Sequence, residues 1–253
     1  MDPMRYVPDA VYTLKRELRD IFGARLRSLV AYGLHTDEAA GAHDRGAHAG
    51  THAHERTLTQ TMAVVDTVAH DDLRACAARV GSWHDLGLAT PLLVAAHEFE
   101  RSLDAFPLEF GAILADYVVV SGESPFNGLN VDTADIRRAC EVQARSHLLH
   151  LREGYLETEG RGDALAVLIA RSAAPFAALL KSVARLQGLS THDAAAAARH
   201  AERALDLPGG IVAEVVKLAN VSEISSAEAT RLFPSYLDAV ERLASYVDGW
   251  SLA

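Results

Sequence analysis

His43, His48, His52 and His54 lie close together, with Asp44 and Glu55 among them. Imidazole nitrogens suit zinc, nickel or copper. His52 and His54 project to the same side of an extended chain. Built zinc sites, however, usually combine short fixed spacings with cysteine. The surrounding stretch, 36–56, is rich in Ala, Gly, His and Asp without periodicity. The cluster therefore reads as a compositional run rather than a metal centre, and the expectation is that no metal site is built here. Adventitious nickel or zinc binding would be unsurprising.

Arg145 and His150 form a second pair of chemically capable residues. Five positions on a helix turn the chain so that the two side chains point about 140° apart. That is a poor geometry for joint action on one bond without a second subunit. Gly33 is the third candidate. It closes the apolar run Ser28-Leu29-Val30-Ala31-Tyr32, and a glycine there allows a ligand close to the backbone. Thr57 and Thr59 carry hydroxyls that can donate hydrogen bonds.

Three further patterns carry no chemistry. Gly122-Glu123-Ser124 lacks the glycine after the serine that a nucleophile elbow needs. Gly209-Gly210 precedes an apolar helix, but no Lys-Ser/Thr pair follows, so it is not a phosphate loop. Lys15, Arg16 and Arg19 fit the solvated face of an amphipathic helix.

The elements that must position these residues follow from apolar periodicity. Val11, Leu14, Leu18, Ile21 and Phe22 recur at helical spacing, predicting a helix over about 8–26. The run 28–33 reads as a buried strand. The segment 34–56 reads as a long, flexible, His-rich surface loop. Residues 61–65 predict a second strand, with 57–60 at its start. A helix over 71–83, a strand over 91–96, a helical turn over 98–103 and a strand over 117–120 follow. Ser124-Pro125-Phe126-Asn127-Gly128 is turn chemistry and the candidate domain boundary. Beyond it the pattern is helical: 133–157, then 163–186 with Pro175 inside. A third helix covers 191–205 with Thr191 as cap, and 211–218 follows. The last covers 226–247, capped by Ser226 and interrupted at Pro234.

Composition narrows the function classes. Hydrophobic residues make up 49% and charged residues 23% of the 253 residues, ordinary values for a globular chain. The net charge of −10 lowers the expectation of a nucleic-acid partner, which calls for a basic face. Two isolated cysteines, Cys76 and Cys140, make neither a disulfide framework nor a zinc site, and read as reduced core thiols. No hydrophobic leader is legible at the N-terminus, and charges break the apolar runs short of a membrane span. The expectation is a cytoplasmic protein without membrane association.

The first half resembles the nucleotidyltransferase superfamily, the fold of DNA polymerase beta and kanamycin nucleotidyltransferase. The likeness rests on an opening helix leading into Arg27-Ser28-Leu29-Val30-Ala31-Tyr32-Gly33. In that family an apolar strand ends at this point in Tyr-Gly-Ser or Phe-Gly-Ser. A second strand, here Thr57 to Asp66, begins in the family with Asp-x-Asp. Pro91-Leu92-Leu93-Val94, Phe106-Pro107-Leu108-Glu109 and Val120-Ser121-Gly122-Glu123-Ser124-Pro125-Phe126 are similar to landmarks of a bacterial subgroup. The Arg145-x4-His150 pair resembles the motif of HEPN-type ribonucleases, whose helical domains often accompany nucleotidyltransferase partners.

Nucleotidyl transfer needs two divalent ions held by carboxylates. Here Leu34 replaces the serine of the turn, and none of Thr57, Leu58, Thr59 and Gln60 is an acid. The expected third strand, 90–96, has none either. Asp66, Glu98 and Glu100 are nearby acids that read as solvated surface residues. The resemblance therefore implies an α+β fold: an N-terminal mixed sheet with flanking helices over 1–127, then an all-α helical bundle over 128–253. It implies a catalytically inactive binding or regulatory module without a cofactor. Gly33, Thr57 and Thr59 are its candidate nucleotide contacts. Its candidate partners are a nucleotide, another protein or a second copy. Two alternatives stand beside it. One is an active transferase with relocated carboxylates. The other is a toxin–antitoxin-type or RNA-processing partner acting through the helical half.

Overall fold

The computed structural model describes residues 7–34, 58–189, 191, 193–207, 210–221 and 224–250. The histidines at 43, 48, 52 and 54, the loop expected around them, and Thr57 lie outside the described residues. The chain is α+β and separates into two compact units, Met1–Val131 and Asp132–Ala253.

The first unit opens with α1, Asp9–Phe22. Its buried residues Val11, Leu14, Leu18 and Phe22 form one stripe, as helical spacing demands. Each fully buried leucine contributes roughly 1.5–3 kcal/mol relative to exposure. The chain then enters β1, Leu26–Tyr32, and continues in β2, Gln60–Val65, β3, Leu92–Ala95, and β4, Tyr117–Gly122. The sheet order is β3-β2-β1-β4. β1 pairs antiparallel with both β2 and β4, whereas β2 and β3 are parallel, so the sheet is mixed.

Strand alternation divides the apolar residues between the two faces. Leu29, Ala31, Ala63 and Val65 join the core built on α1, together with buried Trp83 and Leu88. Val30, Met62, Val64 and Val94 are buried on the other face. There α4, Ala96–Ala105, packs against β2 and β3. Its Phe99 meets Phe110 edge to face at 5.8 Å and Phe126 at 5.3 Å.

Two expectations for this unit change. The helix expected over 71–83 is two helices, α2, His70–Ala77, and α3, Val80–Asp85. Cys76 and Trp83, one on each helix, both reach the α1 core. α5, Pro107–Ala115, was not anticipated, because its run Leu108, Phe110, Gly111 and Ile113 is buried nearly all round and shows no amphipathic period. Pro107 sits at its first position, where its missing N–H costs nothing.

The described part of the second unit contains α6, Thr133–Glu157, α7, Gly162–Leu186, α8, Ala194–Ala204, α9, Ile211–Lys217, and α10, Ser226–Gly249. α6, α7 and α10 pack on one another, and α8 and α9 pack on α7. Two caps differ from expectation. Asp193, not Thr191, caps α8 by accepting the Ala195 N–H at 2.8 Å. Ser225, not Ser226, caps α10 by accepting the Glu228 N–H at 3.2 Å. α10 also runs on through Pro234 as one helix.

By length and composition α7 could cross a membrane, with a mean hydropathy of 1.6 over its most apolar window. Twelve of its residues are buried, and it packs against α6, α8, α9 and α10, so its apolarity also fits a core helix. Cys76 and Cys140 are free and buried, and burial pushes the Cys140 thiol up to about 12.

Candidate functional site

The end of β1 and the start of β2 lie side by side because the two strands are antiparallel. Ala31 pairs with Thr61 and Tyr32 with Gln60. One step beyond these pairs, Gly33 and Thr59 meet at the same end of the sheet. Gly33 has φ +68°, and among the described residues no atom beyond its chain neighbours lies within 4 Å of where a Cβ would stand. The backbone here is open and left-handed, a conformation that favours glycine. Leu34 packs against the α1 core with Val7 and Ala10.

Thr59 is held on its other side. Its N–H donates to the Gly87 carbonyl and its own carbonyl accepts from Ala89, both at 2.9 Å. Both backbone groups are thus engaged, which leaves its hydroxyl as the group able to reach a ligand. Thr61 shares the face of Thr59, two residues along the strand. Thr61 is 1% exposed, and its hydroxyl has no hydrogen-bond partner among the described residues. Sequence reasoning offered the hydroxyls of Thr57 and Thr59. The strand register also puts Thr59 and Thr61 on one face, directly before the apolar run Met62-Ala63-Val64-Val65.

The three displaced acids lie elsewhere. Asp66 follows the last residue of β2, at the opposite end of a six-residue strand, roughly 20 Å from Thr59. It forms an ion pair with Arg27 there. Because β3 runs parallel to β2, α4 also begins at that far end. Glu98 and Glu100 on α4 are exposed, with Glu98 3.7 Å from His97. Asp85, nearer in sequence to the Gly33–Thr59 end, is solvent-exposed on α3. Among the described residues no three His, Cys, Asp or Glu side chains cluster as metal ligands.

In the second unit, the Arg145–His150 pair is split between two surroundings. Arg145 bonds Asp248 at 2.9 Å and Glu141 at 3.5 Å. His150 instead lies 3.2 Å from the Ser146 hydroxyl, in a groove between α6 and α7. Helical rotation separates them, and Arg145 is already neutralised by acids.

A different histidine is built into the structure. His147 stacks on Phe176 at 5.4 Å, and its Nε2 lies 2.7 Å from Tyr236 Oη. Tyr236 donates to Ser172 Oγ at 3.1 Å, and Ser172 donates to the Ile169 carbonyl at 2.9 Å. A carbonyl can only accept, so the direction of the chain is fixed: His147 Nε2–H to Tyr236, Tyr236 to Ser172, Ser172 to Ile169. Nε2 therefore carries a hydrogen, as it would in the neutral or the protonated imidazole. Burial, with a smaller push from His150, lowers its pKa to about 4. Sequence reasoning did not single out His147. The signal was available: Cys140, Ala144, His147 and Leu151 recur at helical spacing on the side of α6 that is buried.

The chain matches no protein-family model and no curated protein.

Proposed function

We propose that residues 1–131 form a nucleotidyltransferase-like domain that transfers no nucleotide and acts as a binding or regulatory module, followed by a helical bundle. The observation that carries this reading is the pairing of β1 with β2. It brings together the two strand ends that would hold the glycine turn and the paired metal-binding acids, and the residues there are Gly33, Leu34, Thr59 and Thr61, with the buried Asp116 on the other side of β1, just before the Tyr117 that pairs with Tyr32. The two positions on β2 carry hydroxyls, and Asp116 by itself is not the pair of acids that two-metal transfer calls for. The strand order supports the fold reading: a helix, an antiparallel strand pair, then a parallel third strand reached through helices.

In this reading Gly33 and Thr59 are the contacts for a nucleotide, with Thr57 as a third. The test is thermal stability of the full chain with ATP, GTP, CTP and UTP, each with and without magnesium, alongside an assay of pyrophosphate release. A ligand that binds only the folded state raises Tm once its concentration exceeds Kd. A shift independent of magnesium, lost in Gly33→Val and unaccompanied by turnover, supports a nucleotide-binding module. No shift with any nucleotide turns the reading toward a protein partner. Magnesium-dependent turnover would overturn the assignment of inactivity and favour relocated carboxylates.

A further inference from the structure

α6 carries an apolar ridge on its outer side. Val142, Leu149 and Leu156 are 63%, 61% and 76% exposed, the three most exposed large apolar side chains among the described residues. Seven residues make nearly two full turns, so the three stand in one line along the helix. Beside that line runs the groove between α6 and α7, lined by Val142 from one helix and by Pro175 and Ala178 from the other. The outer side of α7 is apolar as well. Val167, Ala174, Pro175 and Ala178 are exposed, and from Ala164 to Leu180 the one charged residue is Arg171. A helix side that faces water usually carries charges. Contiguous exposed apolar surface marks an interaction site.

Two charges on this surface have no counter-ion. Arg171 lines the groove, and exposed Glu153 stands one turn from both Leu149 and Leu156 on the ridge. Neither forms an ion pair among the described residues. Gly154 packs on Leu168 and Cys140 faces Arg185, so α6 and α7 run antiparallel. Arg171 therefore lies within one helical turn of the height of Glu153.

A two-fold axis parallel to α6 would lay the ridge of each copy against the groove of the other. An axis running across α6 would instead set ridge on ridge and groove on groove. The parallel axis also keeps heights equal in the two copies, which brings Glu153 of each to Arg171 of the other. Such a surface is self-complementary, as a two-fold interface requires. Its size fits a dimer too. Two adjacent helices of 25 residues present a face about 37 Å long and about 20 Å wide. That is roughly 700 Å² per copy, close to the ~800 Å² per partner of a stable interface.

We infer that the chain pairs with a second copy of itself through α6 and α7. The two α6 helices run parallel, and Leu149 of each copy seats in the α6–α7 groove of the other. The Glu153–Arg171 contact, made twice, sets the register. This surface lies in the second unit and is independent of any nucleotide site in the first.

Sedimentation equilibrium of the full chain, from low to high micromolar concentration, tests the inference. A monomer–dimer equilibrium is expected. Leu149→Glu alters an exposed side chain, so it should leave the Tm of the dilute chain unchanged while weakening dimerisation at least tenfold. Glu153→Lys and Arg171→Glu should each weaken it at least tenfold, because each sets like charges against one another. The double variant Glu153→Lys with Arg171→Glu should restore dimerisation to near the wild-type level. A chain that stays monomeric throughout would overturn the inference. So would a dimer that survives Leu149→Glu or either charge reversal, or a double variant that dimerises no better than the single ones.

Discussion

His147 Nε2 sits 2.7 Å from Tyr236 Oη, and the onward bond from Tyr236 to Ser172 makes the imidazole the donor. A protonated His147 would keep that bond but carry a charge against the face of Phe176 in a buried setting. Its pKa of about 4 lies below the ordinary 6.5, so the unfolded chain binds the proton first. The stabilisation is complete above pH 6.5 and is lost as pH falls from there toward 4. The loss is on the order of 3 kcal/mol between those limits. Urea unfolding at pH 7 and pH 4.5 checks this against His147→Gln, which keeps a donor but does not titrate. The wild type should lose more stability than the variant over that interval. Equal losses would mean that His147 is not buried neutral.

The long amphipathic elements of this fold were legible, and the short or fully buried ones were not. α6 spans Thr133–Glu157, as its periodicity predicts, because one side packs on α7 and α10 while the other is solvated. α5 is buried nearly all round, so its apolar run carries no phase by which a helix is recognised. The break between α2 and α3 leaves no mark in the apolar spacing, since Cys76 and Trp83, seven residues apart, would also share a face on one continuous helix. At the candidate site, Gly33 was legible as the end of an apolar run. The pairing that brings Thr59 and Thr61 beside it depends on strand register.

Gly122 is the position where a single methyl group should be least tolerated. It has φ +78°, and a Cβ there would stand 1.9 Å from the Arg27 carbonyl oxygen and 3.1 Å from Ser28 Cα. These are backbone atoms of β1, paired with β4 at Ser28 and Gly122, so they cannot move without opening the sheet. Ser28 adds a second tie by donating to the Glu123 carbonyl at 2.7 Å. Gly128 is the control, with φ +75° and nothing within 4 Å of its Cβ position. Gly128→Ala should cost only the left-handed conformation, about 1–2 kcal/mol. Gly122→Ala should cost at least about 2 kcal/mol more, or prevent folding. Equal losses in urea unfolding would show that the β1–β4 approach is looser than the structure has it.

Arg25 and Asp72 form the best-made ion pair of the first unit. Nη1 and Nη2 of Arg25 each lie 2.7 Å from an oxygen of Asp72, and Asp72 also accepts the Ala69 N–H at 2.9 Å. The carboxylate thus closes the N-terminus of α2 and ties that helix to the segment between α1 and β1. A planar guanidinium fork is what allows both bonds at once, so Arg25→Lys should not restore the pair. The hydrogen bonds from Arg25 and then from Ala69 hold the Asp72 carboxyl at about 2, below its ordinary 3.8. A lowered carboxylate pKa stabilises the folded chain above 3.8, and the stabilisation disappears as pH falls through that value toward 2. Asp72→Asn should therefore lower Tm by several degrees at pH 7. The gap between variant and wild type should narrow progressively below pH 4. Arg25→Lys should lower Tm at pH 7 as well, because the lysine makes one bond where the arginine makes two. A gap that stays constant from pH 7 to pH 2.5 would mean that Asp72 acts through its amide-accepting oxygen alone, and that the charge of the pair contributes nothing.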